Sequence, residues 1–147
     1  MLGVYEGRLT SLLGNVLMHL GSQHCFVVHG MDGLDEITLT AKTQMSEAKG
    51  GILSNYLLDP AEFGLALVPA KQLAGGIPQE NAVITRDILQ GRKGPKRDIV
   101  CLNAAPALVA GRMATTLQQG FFLAGQAIDS GAAAQKLASL IAFTNKG

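Results

Sequence analysis

The chain has 147 residues, enough for one domain with its own hydrophobic core. A hydrophobic content of 48% and a mean hydropathy of +0.25 exclude a disordered chain, while 18 glycines and only 5% aromatics suit an alanine-rich α/β protein with many tight turns. The formal net charge of +1 provides no global field for nucleic acid or an anionic membrane surface, and no apolar stretch reaches the ~18 residues of a membrane-spanning helix.

Met1 to Tyr5 carries no basic segment and no cleavage signature, so no secretory signal is expected. Leu2 to Tyr5 is a short strand candidate. Leu9, Leu12, Leu13, Val16, Leu17 and Leu20 follow at helical spacing and make one continuous apolar face, closed by Gly21. His19 lies outside that stripe and reads as a surface residue, as does His24 ahead of the next strand. Cys25-Phe26-Val27-Val28 shows no polar alternation and predicts a strand covered on both faces. Cys25 and Cys101 read as core thiols of a reducing cytoplasm rather than a disulfide.

The strand runs into His29-Gly30-Met31-Asp32-Gly33-Leu34-Asp35-Glu36, where four ionisable side chains and two glycines gather at a carboxyl end. Open α/β sheets place their ligands at such ends. Adjacent carboxylates point to opposite faces of a strand, but in a turn Asp35 and Glu36 can converge on a hard cation such as Mg²⁺. The same eight residues also suit a solvated acidic turn, and on their own they leave both readings open.

Ile37 and Leu39 alternate with Thr38 and Thr40 as in a half-exposed strand. Thr43 to Lys49 and Ile52 to Leu58 straddle Gly50-Gly51, which is a hairpin signal. Asp59-Pro60 closes it, and Leu65 to Ile77 reads as loop with at most a short helical turn. From Pro78 onward the chain reads as helices. Pro78 suits a first turn, Ile84 and Ile88 share a face, and Gly91 stops the helix. Arg92, Lys93, Lys96 and Arg97 bracket Gly94-Pro95 without interleaved aromatics, as a solvated interhelical turn would. The next helix spans Lys96 to Val109, and Pro106 is expected to kink or end it one turn early. Its Asn103 is a polar residue in an apolar stretch, with four hydrogen-bond positions to satisfy. It either orients a loop near an active site or caps a neighbouring element, and the structural role is favoured. Thr116 with Gln119 makes a capping-box pair before Phe121, Ala124 and Ile128, and Ser130 is placed to cap a last helix with Ala134, Leu137 and Ile141 inward. The expected architecture is an α/β unit with a mostly parallel sheet, one antiparallel hairpin and a helical C-terminal half.

Several strings recur in a familiar order: Glu36-Ile37-Thr38-Leu39-Thr40, Pro60-Ala61-Glu62-Phe63-Gly64-Leu65, Glu80-Asn81-Ala82, Gly94-Pro95-Lys96-Arg97-Asp98, Leu102-Asn103-Ala104-Ala105 and Ala127-Ile128-Asp129-Ser130-Gly131-Ala132. At these separations they resemble the anthranilate phosphoribosyltransferase family, from Gly3 to the C-terminus. Pro106 departs from the alanine or glycine more usual there. The resemblance implies that residues 1–147 are the C-terminal part of an α/β phosphoribosyltransferase domain, without the family's N-terminal helical domain and first half. The chain holds no Gly-Thr-Gly-Gly-Asp loop for pyrophosphate, no Lys-His-Gly-Asn string and no arginine in the family's anthranilate context.

Carried over to this chain, the family's Asp-Glu pair falls on Asp35 and Glu36, as holders of Mg²⁺ against phosphoribosyl pyrophosphate. For the complete enzyme the resemblance implies transfer of phosphoribose to the amine of anthranilate in tryptophan biosynthesis, in the cytoplasm. It gives His29 no catalytic duty, and no nucleophile or general-base constellation is visible in the residues. The chain alone is expected to be inactive and to self-associate, with an exposed sheet edge and apolar helix face where the missing half would sit. Two rival readings are a non-catalytic relative that binds nucleic acid or serves assembly, and a pyrimidine nucleoside phosphorylase. The Asp-Glu pair and near-neutral charge speak against the first, and the strings above against the second.

Overall fold

The hairpin has the ends read from the sequence. Strand β3 (Thr43–Lys49) and strand β4 (Ile52–Leu58) pair antiparallel throughout, and Gly50 and Gly51 turn the chain between them at φ of 58° and 82°. Both angles lie in the left-handed region that glycine tolerates without a Cβ clash. In this computed structural model, which describes residues 1 to 145, the hairpin forms one side of a four-stranded sheet ordered β1-β2-β3-β4. Strand β1 (Leu2–Gly3) lies parallel to β2 (His24–Gly30), and helix α1 (Arg8–His19) makes the crossover between them.

The sheet is therefore mixed rather than mostly parallel: parallel pairing is confined to β1 and β2, and the β2–β3 and β3–β4 pairs are antiparallel. A parallel return after β2 would need a long crossover, and the chain comes back to β3 directly through a loop. The α/β class and the helical C-terminal half are as expected. After two 3₁₀ turns at Pro60–Phe63 and Ala70–Gln72 come α2 (Pro78–Leu89), α3 (Pro95–Ala110), α4 (Leu117–Asp129) and α5 (Ala132–Thr144). Among the described residues no helix is long and apolar enough to cross a membrane.

Strand β2 is covered on both faces, as its unbroken apolar run implies. Phe26 and Val28, with Met45 and Leu58, pack under Leu102 and Val109 of α3. On the other face lies α1, whose buried residues are Thr10 and Gly14. A Cβ at Gly14 would come within 2.7 Å of the Leu53 side chain, so the close approach of this helix depends on its small-residue side. The leucine stripe is consequently split. Leu9, Leu13 and Leu17 are half-buried, while Leu12, Val16 and Leu20 are 56%, 43% and 77% exposed.

Four further expectations change. His24 is not a surface residue but opens β2, where its ring packs tilted on Phe26 and its Nε2 lies 2.7 Å from Glu47. Pro106 neither ends nor shortens α3, which runs on to Ala110; the proline is fully buried and sits only a turn from the natural end, where few backbone bonds depend on it. Ser130 closes α4 instead of capping α5, whose N-cap is Gly131 at φ 78°. No residue of α5 is buried, so the stripe of Ala134, Leu137 and Ile141 is only half covered, against α2.

The basic turn between α2 and α3 is also more than a solvated surface. Arg97 is 6% exposed and grips Asp129 of α4 with both ends of its guanidinium, at 2.7 and 2.8 Å, while donating to the carbonyl of Gly125 at 3.2 Å. Lys93 reaches the same carboxylate at 3.1 Å, and Arg92 pairs with Asp87. The Arg97 guanidinium, with Lys93 beside it, draws the Asp129 pKa down to about 2. Thr116 caps α4 through the Gln119 amide, but the Gln119 side chain turns to Thr115 and leaves the box half made.

Candidate functional site

The loop from Met31 to Lys42 leaves the carboxyl end of β2 and has no regular secondary structure, yet its backbone is tied at close intervals. Gly30 donates to the Leu34 carbonyl at 2.8 Å, Gly33 to the Gly30 carbonyl at 2.9 Å, and Met31 to the Lys42 carbonyl at 2.9 Å. Asp32, itself exposed, staples the loop through its carboxylate. One oxygen accepts from the Leu34 amide at 3.2 Å, and the other from the hydroxyls of Thr38, at 2.6 Å, and Thr40. Burial by itself would raise the Asp32 pKa, but these hydrogen bonds outweigh it and hold the carboxyl below its ordinary value.

Ile37, Thr38 and Leu39 are buried and not strand, contrary to the alternation in the sequence. In place of a neighbouring strand, Ile37 has the side chain of Asn103. The Ile37 amide donates to Asn103 Oδ1 at 2.9 Å, and Asn103 Nδ2 donates to the Ile37 carbonyl at 2.7 Å. A third bond, from Nδ2 to the Ile99 carbonyl at 3.0 Å, fixes the amide on α3. Thr43 Oγ1 accepts from the Thr38 amide in the same way, at 3.1 Å. From the sheet side, Gly3 of β1 lies so close to Asp35 that an added Cβ would overlap the Asp35 carbonyl oxygen. His29, half-buried at the end of β2, holds the Val4 carbonyl through Nδ1 at 2.8 Å and anchors the segment after β1.

Asp35 and Glu36 themselves are exposed, and among the described residues neither side chain is hydrogen-bonded or paired with a cation. Their carboxylates stand free on a backbone approached from both sides, by Gly3 and by Asn103. No third His, Cys, Asp or Glu joins them among the described residues, and Asp32 is spent on its threonines. Such a pair fits part of the octahedral shell of Mg²⁺, the rest falling to water or to ligand oxygens. Asn103 combines the two roles the sequence left open, since it satisfies itself while orienting the acidic loop. Gly3, Asp32 and the threonines at 38, 40 and 43 carried no signal of this duty, because their partners are set by the loop's path.

Residues 1–134 match the family model described as glycosyl transferase family, a/b domain. The chain belongs to this family. Its curated relatives include the anthranilate phosphoribosyltransferases of Acetivibrio thermocellus, 48% identical over 145 residues, and of Geobacter sulfurreducens, 49% identical over 146. Each alignment covers 99% of this chain but 42% of the relative, so the chain spans less than half the length of these proteins. Among solved structures, the anthranilate phosphoribosyltransferase of Thermus thermophilus superposes with a TM-score of 0.86 at 36% identity, covering 96% of this chain and 41% of that one. The Saccharomyces cerevisiae enzyme in complex with phosphoribosyl pyrophosphate and Mg gives 0.81 at 26% identity, over 92% and 40%. The strings at 36–40, 60–65, 80–82, 94–98, 102–105 and 127–132 thus lie in a chain of the glycosyl transferase a/b-domain family, and the relatives named above are anthranilate phosphoribosyltransferases.

Proposed function

We propose that this chain forms the metal-presenting part of an anthranilate phosphoribosyltransferase, working in the cytoplasm. The observation that carries the reading is the contrast inside one loop: the side chains of Asp32, Thr38, Thr40 and Lys42 are committed to partners, and among the described residues these two carboxylates are not. Residues 1–147 then form a partial α/β domain, and the pyrophosphate loop and anthranilate contacts come from the rest of the enzyme. Two free, buried thiols, Cys25 and Cys101, accord with a reducing compartment.

In the proposed reaction, positive charge develops on the ribose of phosphoribosyl pyrophosphate and negative charge on the leaving pyrophosphate, while the anthranilate amine takes up the phosphoribose. When bound, Mg²⁺ would supply compensating charge to the leaving group. Asp35 and Glu36 hold their oxygens at a preset place and orientation, so that little reorganisation is needed as charge moves. They transfer no proton. The exposed Leu12 and Val16 of α1, Leu20 just past its end and the short edge strand β1 offer the surface for the remaining part of the enzyme, or for a second copy in its absence.

The test follows loss of anthranilate fluorescence with phosphoribosyl pyrophosphate and Mg²⁺. The 147-residue chain is expected to give no turnover; rates on the order of 1 to 10³ per second would overturn the reading of it as one part of the site. Joined to the preceding part of a relative, the protein is expected to turn over. Asp35→Ala with Glu36→Ala should then weaken use of phosphoribosyl pyrophosphate and leave the circular dichroism spectrum intact. Unchanged kinetics of that double variant across a Mg²⁺ titration would reduce the pair to a solvated acidic turn.

A further inference from the structure

Two peptide planes flank Glu36, and each is held by a different layer of the fold. The carbonyl oxygen of Asp35 belongs to the plane before it and rests against the bare Cα of Gly3, in the sheet. The amide of Ile37 belongs to the plane after it and is bound by Asn103 Oδ1, from α3. Because a peptide is planar, a contact to one atom of each plane from opposite sides restrains the backbone torsions of Glu36, and with them the direction from which its side chain leaves. The Asn103 amide has a single usable orientation. Turned over, its Nδ2 would face the Ile37 amide and its Oδ1 the carbonyls of Ile37 and Ile99.

We infer that Gly3 and Asn103 are positioning residues for the Asp35–Glu36 pair, acting as two jaws that set its metal-binding geometry without touching the ion. This rests on the metal reading above. Neither jaw is needed for the chemistry of a carboxylate, and no other carboxylate in the loop is held this way: Asp32 is fixed through its own oxygens, which removes them from use. The arrangement keeps the loop ordered while leaving two carboxylates free. The side-chain amide of Asn103 ties both backbone groups of Ile37 as a strand partner would, without a strand.

The experiment uses the 147-residue chain with Mn²⁺ alone as a paramagnetic probe, read as line broadening of amide resonances, which detects weak binding. In the wild type, broadening should centre on residues 35 and 36. Asn103→Ala and Gly3→Ala should each need about tenfold more Mn²⁺ for the same broadening there, the scale of loss when groups supporting metal ligands are removed. Ile128→Ala serves as the stability control, because Ile128 is buried in the separate cluster with Ile88, Cys101 and Ala124. With its thermal midpoint lowered comparably, it should titrate as the wild type does. A folded Asn103→Ala or Gly3→Ala that titrates with the wild type overturns the positioning role and leaves the metal reading standing, as does an Ile128→Ala that loses binding equally. Wild-type broadening that avoids residues 35 and 36 removes the metal reading and this inference with it. Should Asn103→Ala fail to fold, Gly3→Ala decides alone, since it acts from the edge strand and spares the helix.

Discussion

The acidic loop and helix α5 are opposites. Residues 31 to 42 have no regular secondary structure, yet Ile37 and Thr38 are fully buried and the backbone is bonded to α3, to Thr43 of β3 and to the loop's own Asp32, and packs closely on β1. Helix α5 is a regular helix of 13 residues with none of them buried; its Phe143 is 75% exposed. Regular backbone pairing and tight integration into a fold are thus separate properties. A helix satisfies its polar groups from within and needs its neighbours only for apolar burial. A loop at a site has no such internal solution, so each buried amide or carbonyl must find a partner elsewhere in the chain, and those partners fix its shape.

The strongest way to break this contrast is Asn103→Ala. It leaves the buried amide and carbonyl of Ile37 without partners, and each orphaned group costs about 1–3 kcal/mol, so a loss of about 2–6 kcal/mol in urea unfolding is expected. Amide exchange at Ile37 should accelerate in step. A loss below about 0.5 kcal/mol would mean that water enters and replaces the amide, and that the loop is not held through α3.

Next in size is an acid effect that sets the loop and α4 together against α5. The pKa values of Asp32 and Asp129 are depressed by folding, so each contributes stability that is fully present above its unfolded value near 4 and is lost as pH falls through the folded value. For Asp129 that loss runs from about pH 4 down to about 2, as the Arg97 guanidinium gives up its partner. Thermal melts between pH 7 and pH 2 should show stability falling over this window. Asp129→Asn should flatten the slope, and α5, with no aspartate or glutamate from Ala132 to Thr144, should contribute none of it. Third comes Asp32→Ala, which removes a capping-type carboxylate from the Leu34 amide and two threonine hydroxyls and should cost about 1 kcal/mol in the same unfolding assay at pH 7.

The line between what was and was not legible in the sequence follows the reach of each interaction. The hairpin at Gly50-Gly51, the strand Cys25 to Val28 and the helix start at Pro78 are written in neighbouring residues, and all three stand. Ile37 to Thr40 alternates like a strand, but its partner is a side-chain amide 66 positions away, which no local pattern encodes. Arg97 looked solvated because Asp129 lies 32 positions on. The α1 stripe shows that periodicity reports amphipathicity without saying which side meets the sheet; here Thr10 and Gly14 win through close approach. For the site, position and exposure of Asp35 and Glu36 could be anticipated from the acidic turn, and their assignment to a metal came from the family resemblance. The jaws that hold them belong to three-dimensional structure alone.

The smallest effect tests the other end of the contrast. Ile141 is the last member of the α5 stripe and, with Leu137 and Ala134, borders a groove against Arg86, Leu89 and Gln90 of α2. A buried isoleucine truncated to alanine costs about 2–5 kcal/mol, through lost transfer energy and the cavity left behind. Ile141 is 46% exposed and its neighbours leave that groove open to solvent, so little transfer energy is lost and no closed cavity forms. Alanine is also the better helix former, by a few tenths of a kcal/mol, which offsets part of the remaining loss. Ile141→Ala should therefore change unfolding free energy by less than about 0.5 kcal/mol. A cost above about 2 kcal/mol would show that α5 is packed by something further in solution, and the natural candidate is a second molecule, in which case the cost should shrink on dilution.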